Sequence, residues 1–210
     1  VELRVVASEV GSGPARAGLH RVGLRRVGPA QLLHFTRVGR NDADFSLTAI
    51  HGVDTARWLA GSDYAAIRFR YQPLPAEGPT VVNIVMEAQF TSGATAHLTF
   101  HPMTGATLER AEILLHGHAL FLNLPVAHHS PDHPGKVWHL EKDQLRREVD
   151  GAGLFGGDDL YLTNGFYAEN AAFFDAVRAG QRPEGDLRSA RQTVELIEFI
   201  RERRTKYPKD

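Results

Sequence analysis

Two groups of residues have types and spacing suited to chemistry. In His51-Gly52-Val53-Asp54 an imidazole and a carboxylate stand three residues apart, which makes them neighbours on one face of a helix. Histidine titrates near neutral pH, so His51 could take a proton from a substrate hydroxyl while Asp54 orients the ring or supports its cationic form. The same pair also suits a structural role, with His51 packed near the helix start and Asp54 favoured by the positive end of the dipole. Spacing alone leaves both roles open. The second group is His128, His129, His133 and Asp132, whose side chains are of the kind that bind zinc or nickel. Their spacing matches no standard zinc pattern and they sit in a Pro-rich loop, so the expectation is a solvated loop and no metal site.

A nucleotide-binding signature is the next thing to seek. A strand running into G-x-G-x-x-G and a helix would present backbone amides to a pyrophosphate. The nearest approach is Val5-Val6-Ala7-Ser8-Glu9-Val10-Gly11-Ser12-Gly13-Pro14-Ala15-Arg16. Arg16 stands where the third glycine belongs, and Pro14 interrupts the turn, so this stretch reads as an ordinary segment. Cofactor-binding residues are therefore unknown, and no cofactor is expected on this chain alone.

Composition narrows the partners. The 210 residues carry 24 Lys and Arg against 25 Asp and Glu, a formal charge of -1. No global field draws the chain to nucleic acid or an anionic membrane. The basic cluster Arg201, Arg203, Arg204, Lys206 and Lys209 is balanced by Glu195, Glu198 and Glu202. There is no cysteine, which removes disulfides and thiolate nucleophiles and fits a cytoplasmic protein. No apolar run approaches the roughly 20 residues of a membrane helix. The first residue is Val1, so an upstream segment is expected.

The elements that must position these residues follow from periodicity. Residues 1–30 are broken by Gly and Pro and read as a linker or remnant with one strand. Gln31 to Val38 alternates as a strand, followed by a polar loop from Gly39 to Asp44. Leu47 to Leu59 has helical spacing and a stop at Gly61. Strands are predicted at 64–71, 81–90, 94–100, 111–115, 119–122, 137–140 and 145–149. Helices are predicted at Phe166–Ala179, burying Phe173, Phe174 and Val177, and from an N-cap at Asp186 to Arg203, burying Ala190, Val194, Ile197 and Ile200. Consecutive strands with short connections predict a mostly antiparallel sheet. The fold class is α+β, an open sheet with helices packed on one face. Residues 31–205 are read as one domain, and 206–210 as a tail.

The run Ile50-His51-Gly52-Val53-Asp54-Thr55-Ala56-Arg57-Trp58-Leu59-Ala60-Gly61 resembles the Gfo/Idh/MocA oxidoreductase signature at the first helix of the C-terminal domain. Phe90-Thr91-Ser92-Gly93-Ala94 is similar to the family's strand turn, and Ile113-Leu114-Leu115-His116-Gly117-His118-Ala119 to its strand-glycine-strand unit. Glu169 to Pro183 is similar to its phenylalanine helix with a glycine-x-x-proline exit. The resemblance covers roughly residues 28–204. It implies a parent enzyme whose separate Rossmann domain holds NAD or NADP, acting on a sugar, cyclitol or related polyol. It further implies a homo-oligomer formed through the open sheet face. By the same resemblance His51 is the acid/base, assisted by Asp54, and from their place before the helix Arg37, Arg40 and Asn41 are hydroxyl or carboxylate contacts. Leu47 stands where the family often has an aspartate. That departure sustains the alternative of a non-catalytic dimerising or small-ligand-binding domain of the same fold.

Overall fold

The computed structural model describes residues 6–8, 19–21, 29–39, 46–126, 129–152, 159–163, 165–183 and 187–208. Strand β3 (Ala30–Val38) lies at the centre of a nine-stranded sheet. Its odd residues, Leu33 and Phe35, point into the core, and its even residues, His34 and Thr36, point away from it, as a period of two requires. The chain then forms α1 (Ser46–Ala60) and the antiparallel run β4 (Tyr64–Pro73), β5 (Val82–Phe90) and β6 (Thr95–His101), which brings β6 back parallel beside β3. On the other flank β7 (Leu108–Leu115), β8 (His118–Asn123), β9 (Lys136–Glu141) and β10 (Gln144–Asp150) meander outward, all antiparallel. Lys206 and Tyr207, in the segment read as a tail, form β11 and pair with the outer edge of β4. The order β10-β9-β8-β7-β3-β6-β5-β4-β11 contains one parallel pair among the described strands. The mostly antiparallel α+β expectation holds.

One face of the sheet is apolar. Leu33, Phe35, Ile67, Phe69, Ile84, Met86, Leu98, Phe100, Ile113 and Leu120 share a single core with Val53, Ala56 and Leu59 of α1. The last helix completes that core with Leu196, Ile197, Phe199 and Ile200. Each buried Leu, Ile or Phe stabilises the fold by about 1.5–3 kcal/mol. Helix α1 seats deeply because residue 52 has no side chain: a Cβ there would stand 2.5 Å from a Phe100 ring carbon and 2.7 Å from one of Phe35. Gly61, at φ +63°, ends α1 in the left-handed region, as a C-terminal glycine should.

Among the described residues the sheet is followed by α2 (Leu160–Thr163), α3 (Phe166–Arg178) and α4 (Leu187–Arg201). Predicted and observed bounds agree closely, but two burial expectations are corrected. Phe173, Phe174 and Val177 are 49%, 52% and 53% exposed, and α3 buries only Ala168. The helix lies off the sheet, with α2 and strand β1 (Val6–Ser8) as its main neighbours among the described residues, so its aromatic stripe meets no core. On α4, Val194 is exposed while Thr193 is buried, because this helix turns a polar position toward α1. The predicted N-cap Asp186 lies outside the described residues.

Strand β1 pairs antiparallel with β2 (Leu19–Arg21) in a small separate sheet. No helix among the described residues is long and apolar enough to cross a membrane.

Candidate functional site

Helix α1 presents His51 and Asp54 at its exposed surface, one turn apart. The inward positions Val53, Ala56 and Leu59 fix that orientation by burial in the core, since residues three and four apart share a helix face. The surroundings of Asp54 are specific. Thr193 Oγ1 on α4 donates to Asp54 Oδ1 at 2.8 Å, and Arg57 NH2 donates to the same oxygen at 3.2 Å. Arg57 NH1 also donates to Asp63 Oδ1 at 2.9 Å, and its NH2 to the Ser189 carbonyl at the start of α4. A carboxylate and a guanidinium therefore tie α1 to α4 beside the imidazole.

Beneath this pair Tyr64 is buried, stacked on Phe90 with ring centroids 4.7 Å apart, and donates its hydroxyl to the Val53 carbonyl at 2.9 Å. Burial, partly opposed by Arg57, holds its phenol far above the ordinary tyrosine range. Tyr64 thus acts as a neutral hydrogen-bond donor to the backbone of α1. Gln192 on α4 closes the same corner, its Oε1 accepting from Tyr64 N and its Nε2 donating to Tyr64 O, both at 2.8 Å.

The remaining site expectations fall in different places. Arg37 is 3% exposed on the helix-facing side of β3, where its NH1 donates to Glu109 on β7. That guanidinium supports the end of β3 and offers little surface to a ligand. Arg40 and Asn41 lie outside the described residues, as do His128 and the Gly11 and Gly13 pair. Leu47 is within α1, but its side-chain surroundings are outside what is described. In the histidine loop Asp132 is buried, accepting from Arg110 Nε at 2.6 Å, Arg110 NH2 at 2.7 Å and Asn123 Nδ2 at 3.0 Å. A carboxylate already clamped by a bidentate arginine has little left to offer a metal ion. No group of three or more metal-ligating side chains occurs among the described residues.

The side chains that reasoning from sequence missed are Thr193, Arg57 and Asp63. Arg57 carried a signal, being three residues from Asp54 on the same helix. Thr193, 139 residues from Asp54 in sequence, carried none.

The strand before the near-match to a nucleotide signature, β1, pairs antiparallel with its successor, and a parallel βαβ unit is what would aim a helix N-terminus at pyrophosphate.

The open, mostly antiparallel sheet with helices laid across it places the chain in the α+β class. The fold is that of the C-terminal domain of Gfo/Idh/MocA-type dehydrogenases. It is similar to the dehydrogenase MviM of Clostridium difficile at 17% identity, over 84% of this chain and 55% of that chain, with TM-score 0.65. UDP-N-acetylglucosamine 3-dehydrogenase of Acidithiobacillus ferrooxidans matches at 15% identity, over 83% and 53%, with TM-score 0.65. Levoglucosan dehydrogenase in complex with NADH and levoglucosan matches at 17% identity, over 86% and 58%, with TM-score 0.62. This chain thus spans little more than half the length of those enzymes. No protein-family model and no curated protein matches the sequence.

Proposed function

We propose that this chain is the substrate-facing domain of a cytoplasmic NAD(P)-dependent oxidoreductase acting on a sugar, cyclitol or related polyol. One observation carries the reading. In a fold shared with sugar dehydrogenases, α1 presents His51 to solvent one turn from a carboxylate held in place by α4. His51 would hold or accept the proton of a substrate hydroxyl, Asp54 would assist, and Arg40 and Asn41 would contact neighbouring hydroxyls. Arg37 contributes by supporting the strand that leads to them. The nicotinamide, supplied by a separate dinucleotide-binding domain, would exchange hydride with the same carbon.

The test is a magnetic-resonance titration of the labelled chain with myo-inositol and with glucose. Shifts concentrated along residues 50–61 are expected, and they should disappear in His51→Ala. Shifts confined to other parts of the sheet would overturn the reading. Calorimetric titration with NADH should show no binding to this chain by itself, and micromolar affinity would contradict the assignment of the cofactor to another domain.

Self-association through the open sheet face belongs to the same proposal. That face carries a cross-strand row of Arg68, Glu87, His97, His34 and Glu112, with charges of both signs that a two-fold partner can pair. Sedimentation equilibrium should show a dimer that Glu112→Arg weakens. A monomer at all concentrations would remove this part.

A further inference from the structure

We propose that Thr193 and Arg57 are positioning residues that anchor Asp54 by one carboxylate oxygen and so present the other as a fixed acceptor for a substrate hydroxyl. The inference rests on the polyol reading above and adds the device that sets its geometry. Both hydrogen bonds to Asp54, from Thr193 Oγ1 and from Arg57 NH2, end on Oδ1. Among the described residues Oδ2 accepts none, and the Asp54 side chain is 53% exposed on the helix that also exposes His51.

The two donors differ in kind. Thr193 is a buried hydroxyl on α4, placed by the core residues Leu196, Ile197 and Ile200 of the same helix. It is a rigid point outside α1. Arg57 is held by Asp54, by Asp63 at 2.9 Å and by the Ser189 carbonyl, so it cannot swing onto Oδ2 without giving up those contacts. An aspartate on an open helix surface would lose rotamer freedom on meeting a ligand. Here that loss is taken on folding, and a preorganised acceptor binds more tightly for it.

The chemistry of Oδ2 selects the ligand class. A carboxylate oxygen accepts hydrogen bonds and donates none. It therefore suits the O–H of a neutral polyol and repels an anionic group at that position.

Three single variants of the chain test this. Asp54→Asn keeps an oxygen that accepts from Thr193 and Arg57 but puts an amide donor where Oδ2 was. Thr193→Val removes the anchor at nearly constant shape, and Thr193→Ser restores it. Amide hydrogen exchange along residues 53–57 should speed up about fivefold in Thr193→Val, as loss of one hydrogen bond implies, with β9 and β10 unchanged. Thr193→Ser should return it to the wild-type rate, and Asp54→Asn should leave it near that rate. In the myo-inositol titration Asp54→Asn should lose the response of α1 although its exchange is intact. Unchanged exchange in Thr193→Val, failure of Thr193→Ser to restore it, or a wild-type myo-inositol response in Asp54→Asn would overturn the proposal. If the wild-type chain responds to neither polyol, the functional reading fails, and the acceptor role of Oδ2 fails with it. The exchange data then decide whether Thr193 anchors Asp54.

Discussion

Replacing Gly52 with alanine tests how closely α1 seats on the sheet, and with it the placement of the neighbouring His51. The added methyl carbon would lie 2.5 Å from a ring carbon of Phe100 and 2.7 Å from one of Phe35. Carbon atoms at rest stand about 3.5–4.0 Å apart, so roughly 1 Å of overlap must be relieved. Both rings are fully buried, and they pack against each other with centroids 6.1 Å apart. Neither can turn aside without opening the core, so the helix must lift. Overpacking of this kind costs about 1–3 kcal/mol, set against about 1 kcal/mol gained by exchanging glycine for alanine within a helix. The net expectation is a loss of up to about 2 kcal/mol. Urea denaturation should show a lower midpoint at unchanged slope, and the melting temperature should fall by about 2–4 °C per kcal/mol. Adding Phe100→Leu should recover part of the loss, making the double variant less destabilised than the two single losses combined. A Gly52→Ala chain as stable as wild type, with no coupling to Phe100, would refute the close seating of α1.

Other parts of the structure make further expectations. Arg37 and Glu109 form a buried ion pair, so Glu109→Ala should cost about 3–5 kcal/mol by leaving a charge in the core, whereas Arg37→Met with Glu109→Leu should cost much less; denaturation of the single and double variants measures both. Arg110→Ala strips the buried Asp132 carboxylate of two of its three side-chain hydrogen bonds and should cost about 1–3 kcal/mol. Asp132→Asn, which removes the charge itself, should cost less. The stacked pair His118 and His139, with Nδ1 and Nε2 3.1 Å apart, predicts a pH dependence. Burial, followed by His118, holds His139 below its ordinary range, although Glu141 pulls the other way. The unfolded chain then binds a proton that the folded chain resists, so stability present above about pH 6.5 is lost as pH falls below it. Unfolding midpoints measured at about pH 7.5 and 5.5 should show this loss, and His139→Gln should reduce it.

Much of the architecture was legible because it is written in neighbouring residues. The alternation of Leu33 and Phe35 with His34 and Thr36 can satisfy only a strand with one buried face. The spacing of Val53, Ala56 and Leu59 up to Gly61 can satisfy only a helix with a stop. His51 and Asp54 were visible for the same reason, since their separation puts them one turn apart wherever that helix lies.

What lay beyond the sequence depended on which elements meet. The stripe of Phe173, Phe174 and Val177 identifies α3 as a helix but does not say what it faces, and in this fold those side chains stand exposed. Arg37 is in phase with the inward residues of β3, yet only the pairing of β3 with β7 supplies Glu109 to neutralise it. Asp54 reads from sequence as half of a proton-transfer pair, and only the packing of α4 on α1 brings Thr193 to the same oxygen that Arg57 holds from within α1. Periodicity is set by the local geometry of the backbone, so a short stretch of chain reveals it. Partnership is set by the order in which strands and helices assemble around a common core, and residues 139 positions apart become neighbours only when that core forms.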